Sequence, residues 1–195
     1  MGRLQIRGVM TRLGVTGWFA AMLVLGAGLL AKHVIALPAP ASGTKLASSL
    51  SAFRSSKAMH QWLAVHVLYA ECRCSQRIVA HLLSTTRPAG WEEVVLWVGK
   101  AAPDAALERG YRVKRVTSAE LASFGVEATP LLVVLDPVNH VRYAGGYSER
   151  KQGPVIDDLR ILAEAQGTSQ LASLPVLGCA VSDRLKQALG VLPTL

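Results

Sequence analysis

The sequence has 195 residues, of which 51% are hydrophobic, and a formal net charge of +8. This length accommodates one ordinary domain together with an appendage. The charge does not indicate a nucleic-acid groove, because three basic residues fall within positions 1–12 and the others are scattered among apolar residues. We therefore expect no nucleic-acid partner.

The first predicted element is a membrane anchor over residues 13–36. Residues 14–31 contain no charged side chain, and 18 positions are enough for a helix to cross a bilayer. Arg3, Arg7 and Arg12 precede this stretch, which favours a cytoplasmic segment at 1–12 and export of everything that follows. The prediction is a single-pass protein of the inner (cytoplasmic) membrane whose C-terminal domain lies in the periplasm or outside. A cleaved signal peptide, with residues 39–41 as its small-residue cleavage site, is the alternative.

A Pro-, Ala- and Ser-rich linker over 37–55, turning helical near Leu46, precedes the predicted domain at 56–168. Strands and helices then alternate. Strands are predicted at 60–69, 91–99 and 111–117, and helices at 75–85, 103–111 and 118–126. Ser118 is the predicted cap of the last of these helices. The strand at 91–99 is apolar throughout after its Glu92–Glu93 pair, as in a sheet buried on both faces.

The second half of the domain predicts a β-hairpin, with strands at 131–136 and 141–144, followed by a helix at 153–166 that has Pro154 in its first turn. The carboxylate pairs Glu92–Glu93 and Asp157–Asp158 are expected to be solvated. A final helical piece at 178–189 lies in a C-terminal extension, 169–195. The order predicts an α/β fold with a parallel sheet and an antiparallel edge.

Cysteine is scarce, and in an exported protein thiols are either paired or reactive. Cys72 and Cys74 lie between a predicted strand and a predicted helix, where the helix dipole, Arg73 and Arg77 favour a thiolate. Cys72 and Cys74 can bond to each other, or one of them can pair with Cys179. Cys179 precedes a predicted helix, and can be resolving, structural or free.

Three stretches carry a resemblance to a known family. They read LYAECRCSQ, EATPLLVVLD and VRYAGGY, at residues 68–76, 127–136 and 141–147. Together with the element order, they resemble the thioredoxin-like superfamily, and the N-terminal anchor is similar to TlpA- or ResA-type membrane-tethered thiol-disulfide proteins. The resemblance covers residues 61–166. The chain departs from the family in its Cys-x-Cys spacing and in its C-terminal cysteine.

The resemblance implies a thioredoxin-like fold, a central mixed sheet flanked by helices, and a thiol-disulfide oxidoreductase that needs no cofactor. Its catalytic residues would be Cys72, Cys74 and Cys179. Thr129 and Pro130, joined by a cis bond, would shape the groove that receives an extended partner chain by β-pairing. The partners would be other exported thiol or disulfide proteins.

A copper-binding protein on the same fold, similar to the Sco family, is the second interpretation. Three thiolates suit Cu(I), and His66, His81 and His140 are candidate additional ligands. Since the Cys-x-x-x-Cys spacing of that family is absent, we expect no metal site and satisfied or solvent-exposed histidines. A peroxidatic motif is absent too, and a non-catalytic interaction module is a further alternative.

Overall fold

The computed structural model describes residues 14–29, 35–151, 153–167 and 171–190, within two units, Met1–Ile35 and Ala36–Leu195. In the first unit, residues 14–29 form a helix, α1, whose apolar side chains, such as Trp18 and Leu23, are exposed. Among the described residues, no helix combines the length and the apolarity needed to cross a bilayer. The predicted anchor at 13–36 extends beyond the described residues and the segment 1–12 lies outside them, so both stay predictions.

The second unit is built around a five-stranded mixed sheet. The strands of the unit, including two that lie outside this sheet, are β1 (Trp62–Tyr69), β2 (Trp91–Val98), β3 (Arg112–Arg115), β4 (Ala128–Thr129), β5 (Leu131–Leu135), β6 (Val141–Gly145) and β7 (Cys179–Ala180). The order is β3-β2-β1-β5-β6, in which β1, β2 and β3 are parallel, β5 is antiparallel to β1, and β6 is antiparallel to β5. The short strands β4 and β7 form a separate antiparallel pair.

Helices cover both faces of the sheet. They are α2 (Thr44–Ser51), α3 (Arg73–Ser84), α4 (Ala105–Gly110), α5 (Ser118–Ser123), α6 (Asp158–Ala165) and α7 (Asp183–Ala188), with a 3-10 turn at Ser56–Ala58. The mixed sheet flanked by helices agrees with the predicted α/β class and is consistent with a thioredoxin-like fold.

Alternating side chains of β1 enter the two layers of the core. Val65 and Val67 pack in one layer with α2, α5 and α7, whereas Ala64 and Leu68 pack in the other with α3, α4 and α6. Because both faces are covered, the central strands are apolar along most of their length. This burial fixes the direction of β1, and therefore the point at which the chain turns from its end into α3.

Two helices begin at residues other than those predicted. Thr117, not Ser118, caps α5, because its hydroxyl accepts from Glu120 N at 3.1 Å while the Glu120 carboxylate accepts from Thr117 N at 2.7 Å. This reciprocal capping box requires a spacing of three residues, which Thr117 meets and Ser118 does not. Helix α6 begins at Asp158 rather than Gly153. Ahead of it, Asp157 N donates to the Tyr147 carbonyl at 2.8 Å, which holds the segment in a non-helical path.

The expectations for the C-terminal extension and for two carboxylates are also corrected. The stretch 178–189 is a strand, β7, followed by α7, which Ser182 caps by accepting from Leu185 N at 3.1 Å. Glu93 and Asp158 are not solvated: their side chains are 8% and 0% exposed, respectively. Both are buried because basic side chains reach them, as described below.

Candidate functional site

Cys72 occupies the N-cap position of α3, just after the end of β1. Its backbone N–H donates to the Tyr69 carbonyl at 3.0 Å, and its own carbonyl accepts from Gln76 N at 3.0 Å. Cys72 is fully buried, and its own side chain makes no capping hydrogen bond. As the N-cap residue it stands at the end of α3 that carries the unpaired N–H groups of the first turn and the positive end of the helix dipole. Such a position stabilises a thiolate.

Cys72 is bonded to Cys179 in a disulfide that spans 107 residues of sequence, with the Cα atoms 6.1 Å apart. Of the pairings that the sequence leaves open, this is the one the structure contains. Cys179 lies in β7, ahead of α7, so it precedes a helix as predicted, although the helix predicted over 178–189 begins only at Asp183. Cys74, in the first turn of α3, is a free thiol and is partly exposed.

Ser75 is a member of the site that the sequence interpretation missed. A dithiol motif with a two-residue spacer that begins at Cys72 would place its second sulfur at position 75. Ser75 is fully buried, and its hydroxyl accepts from Tyr69 N at 3.0 Å. The stretch Cys-Arg-Cys-Ser thus carries serine where the second sulfur of such a motif would stand. Counting three positions from Cys72 is the signal that could have found it.

The Thr129–Pro130 peptide bond is cis, as predicted. Thr129 pairs with Cys179, and Ala128 pairs with Ala180, in the antiparallel β4–β7 ladder. Thr129 and the Cys72–Cys179 disulfide are therefore neighbours. Within the described residues, the Thr129 hydroxyl is buried and has no hydrogen-bond partner.

A pocket of about 190 Å³ opens beside this disulfide. Its walls include Cys74 and Arg73 from α3, Pro130 at the start of β5, Tyr147 after β6, and Leu177 from the segment before β7. Arg77 also lines it, so two guanidinium groups lie near the free thiol. Of the five sequence-predicted site residues, Cys72 and Cys179 form the disulfide, Thr129 pairs with Cys179, and Pro130 and Cys74 line the pocket.

A chain of buried polar side chains runs behind the pocket. The hydroxyl of Tyr147 lies 2.8 Å from His66 Nδ1, and His66 Nε2 lies 2.9 Å from Glu93 Oε2. Glu93 also accepts from Arg87 at 2.7 Å. Burial by itself would raise the pKa of Glu93, but the hydrogen bonds and charges of His66 and Arg87 outweigh it and hold the pKa at about 2. Burial raises the pKa of Tyr147.

The chain continues from Arg87 to Asp158 at 2.6 Å and from Asp158 to His81 at 2.7 Å. His140 lies elsewhere, 3.2 Å from Asp136. These partners make His66 and His81 satisfied structural residues, and they leave the copper interpretation unsupported. Over the described ranges, no three His, Cys, Asp or Glu side chains are grouped so that they could hold a metal ion.

Comparison with protein-family models and with curated proteins found no match. Among solved structures, a hypothetical protein from Sinorhizobium meliloti 1021 is 19% identical over 64% of this chain and 80% of its own, with a TM-score of 0.44. A thiol:disulfide interchange protein of the thioredoxin family from Chlorobium tepidum TLS is 20% identical over 68% of this chain and 98% of its own, with a TM-score of 0.41.

A third similar structure is the thioredoxin domain of a thiol-disulfide oxidoreductase from Bacteroides vulgatus. It is 17% identical over 44% of this chain and 69% of its own, with a TM-score of 0.34. These identities and TM-scores are low, so no activity is carried over from these proteins to this chain.

Proposed function

We propose that this chain performs thiol-disulfide exchange and that Cys72 and Cys179 are its redox-active pair. One observation carries the proposal: Cys72 lies at the N-cap of α3, is bonded to Cys179, and that bond lies beside the cis bond before Pro130. The positive end of the helix dipole favours a thiolate at the N-cap, which makes Cys72 a good leaving group when the disulfide is attacked.

The exchange begins when the thiolate of a partner dithiol attacks the sulfur of Cys179, which is partly exposed whereas Cys72 is fully buried. The Cys72–Cys179 bond breaks, a bond from the partner to Cys179 forms, and Cys72 leaves as a thiolate at the N-terminus of α3. The second thiolate of the partner then attacks the partner sulfur that is bonded to Cys179. This step forms the partner disulfide and releases Cys179 as a thiolate. Two electrons and two protons pass from the partner to the chain. In the other direction, the Cys72 thiolate attacks a partner disulfide, whose other sulfur leaves as a thiolate, and the Cys179 thiolate then attacks Cys72 in the mixed disulfide, re-forms the Cys72–Cys179 bond and releases the partner thiol.

Cys74 is the third thiol of the proposed machinery. It is unpaired, and it lines the pocket beside Pro130 together with Arg73 and Arg77. From there it can attack a mixed disulfide that forms on a neighbouring cysteine, releasing the partner thiol. Thr129 and Pro130 present the backbone edge along which an extended partner segment pairs.

We place this activity outside the cytoplasm, on a membrane tether, with exported thiol or disulfide proteins as partners. The support is the uncharged stretch 14–31 behind three arginines and the exposed apolar side chains of α1. Fractionation tests this location: the full chain should sediment with membranes and leave them only in detergent. Recovery of the full chain in the cytoplasmic fraction would overturn the placement and leave the exchange chemistry open.

The activity is tested by equilibrating the full chain with reduced and oxidised glutathione and by mapping its disulfides with mass spectrometry. Turnover of a peptide disulfide is measured in parallel for the three single variants Cys72→Ser, Cys74→Ser and Cys179→Ser. We expect Cys72→Ser to abolish turnover, Cys179→Ser to accumulate mixed disulfides, and Cys74→Ser to retain the Cys72–Cys179 bond. Full turnover by Cys72→Ser would show that the assignment is wrong.

A further inference from the structure

The segment that carries Cys179 lies along the backbone edge that the proposed function assigns to partners. We define residues 174–182 as the C-terminal strap. Its strand, β7, is the neighbour of β4 in a two-stranded sheet, and β4 has no other strand partner within the described part of the chain. Val181 N extends the pairing by donating to the Glu127 carbonyl at 2.8 Å. The strap is thus bound as an added strand, the way an extended peptide binds a sheet edge.

Gly178 is the position where the strap comes closest to this edge. A Cβ atom at Gly178 would overlap the Thr129 carbonyl oxygen and would lie 2.5 Å from Pro130 Cδ. Both obstacles belong to rigid groups, a backbone carbonyl and a proline ring, so neither can turn aside as a flexible side chain would. Glycine is needed here for close approach, and any other residue would push the strand away from the edge.

The neighbouring strap positions are less restrictive. Leu177 lines the open pocket, and Ala180 is partly exposed. Among the positions next to Gly178 and Cys179, the restriction therefore falls on the residue directly before the reactive cysteine. It arises from the edge itself, namely Thr129 and Pro130, and so it applies equally to any other strand that occupies the same place.

We propose that the strap is a resident substrate and that the edge accepts, in its place, an extended partner segment with glycine directly before its reactive cysteine. This inference rests on the proposed exchange function and names its substrate class. In the exchange, the Cys72 thiolate attacks the partner cysteine within the partner disulfide. That disulfide breaks, its other sulfur leaves as a thiolate, and a Cys72–partner bond forms with no net oxidation.

The test uses the full chain with Cys74→Ser and Cys179→Ser, so that Cys72 is its sole cysteine. Gly178→Ala is added to detach the strap from the edge, and a thermal melt checks that the variant is folded. Three peptides with the sequence of residues 173–183, SLPVLGCAVSD, are activated as mixed disulfides with 5-thio-2-nitrobenzoate. One is unchanged, one carries Gly178→Ala, and the control carries Ala180→Ser. Release of the coloured thiolate and the mass of the adduct report coupling to Cys72.

We expect the unchanged peptide to couple at least about tenfold faster than the Gly178→Ala peptide, because the added methyl group meets groups that cannot move aside. The Ala180→Ser control should stay within about threefold of the unchanged peptide, since that position is partly exposed. The same comparison in the chain that keeps Gly178 should show slower coupling with the same preference, because the strap still competes for the edge.

A ratio below tenfold would overturn the glycine requirement, and so would failure of the unchanged peptide to couple while oxidised glutathione still reacts with Cys72. Both results would leave the exchange function standing. If Cys72 reacted with neither the peptides nor oxidised glutathione in the folded variant, the exchange function would itself be wrong. The two failures are thus distinguishable in one experiment.

Discussion

Removal of the Cys72–Cys179 disulfide should lower the free energy of unfolding by an amount that follows from its loop. The bond joins residues 107 apart in the sequence. In the chain-entropy model, closing a loop of that length stabilises the fold by about 5 kcal/mol at 25 °C. For a unit of about 160 residues, this corresponds to a fall of about 10–20 °C in the unfolding midpoint. Cys179→Ser is the variant that removes the bond while leaving the N-cap residue of α3 in place.

The assay is denaturant unfolding of the full chain under oxidising conditions, for the unchanged protein and for Cys179→Ser. Cys74→Ser is the matched control, since it removes a free thiol and should change the midpoint little. The unchanged protein in excess reductant should unfold with the midpoint of Cys179→Ser. If the oxidised protein and Cys179→Ser unfolded within about 1 kcal/mol of each other, the long loop would not be closed in solution and the assigned pairing would be wrong.

Two further predictions concern stability away from the disulfide. Glu93 has a pKa of about 2 in the fold against an ordinary value of 4.5, so its contribution is present above about pH 4.5 and is lost as the pH falls toward 2. The free energy of unfolding, measured with denaturant, should be lower at pH 3 than at pH 7. The loss should approach about 3 kcal/mol at still lower pH, and Glu93→Gln should flatten this pH dependence. Thr117→Ala should destabilise the chain by about 1 kcal/mol in thermal melts through loss of the α5 cap, whereas Ser118→Ala should have a smaller effect. Equal effects of the two substitutions would contradict the observed capping box.

The features that could be predicted from the sequence are those that local pattern determines. The apolar runs of β1, β2 and β5 identify the buried strands, because a strand covered on both faces must be apolar along its length. The cis bond before Pro130 is predicted by the resemblance of the stretch EATPLLVVLD to the thioredoxin-like superfamily, supported by the flanking strands and the cysteine segment upstream. The capping box of Thr117 could be read from its spacing to Glu120, although a helix capped by Ser118 was predicted instead.

The buried carboxylates show why the rest could not be predicted. Glu93 lies in a doublet at the start of a strand, which suggests a solvated position. Its burial depends on His66 from β1 and on Arg87 from the loop before β2, and their side chains converge only once the sheet has formed. Asp158 is buried for the same reason, through Arg87 and His81. A side chain whose partners come from distant elements leaves no local periodicity to read.

The choice of Cys179 as the partner of Cys72 depended on contacts of the same kind. The cysteine spacing leaves three pairings open. Loop-closure entropy does not select one of them, because it concerns the unfolded chain and does not depend on which cysteines are close together in the fold. What selects Cys179 is the path of the strap. Gly146 N donates to the Leu174 carbonyl at 2.9 Å, and Leu37 N donates to the Val176 carbonyl at 2.8 Å. These bonds bring β7 beside β4, where Cys179 meets Cys72.

Serine at position 75 links the redox state of the proposed site to the order of the strap. A disulfide between positions 72 and 75 would close a loop of four residues and stabilise the fold by about 2 kcal/mol, against about 5 kcal/mol for the long loop. In a thermodynamic cycle, whatever the disulfide adds to folding stability, folding adds to the stability of the disulfide. The contacts that hold the strap in place, including the hydrogen bond from Val181 N to the Glu127 carbonyl, therefore make Cys72–Cys179 harder to reduce. A partner that reduces the Cys72–Cys179 bond must therefore supply more free energy than reduction of a bond between positions 72 and 75 would need. Once the bond is reduced and the strap detaches, the β4 edge that it covered becomes available to the next partner segment.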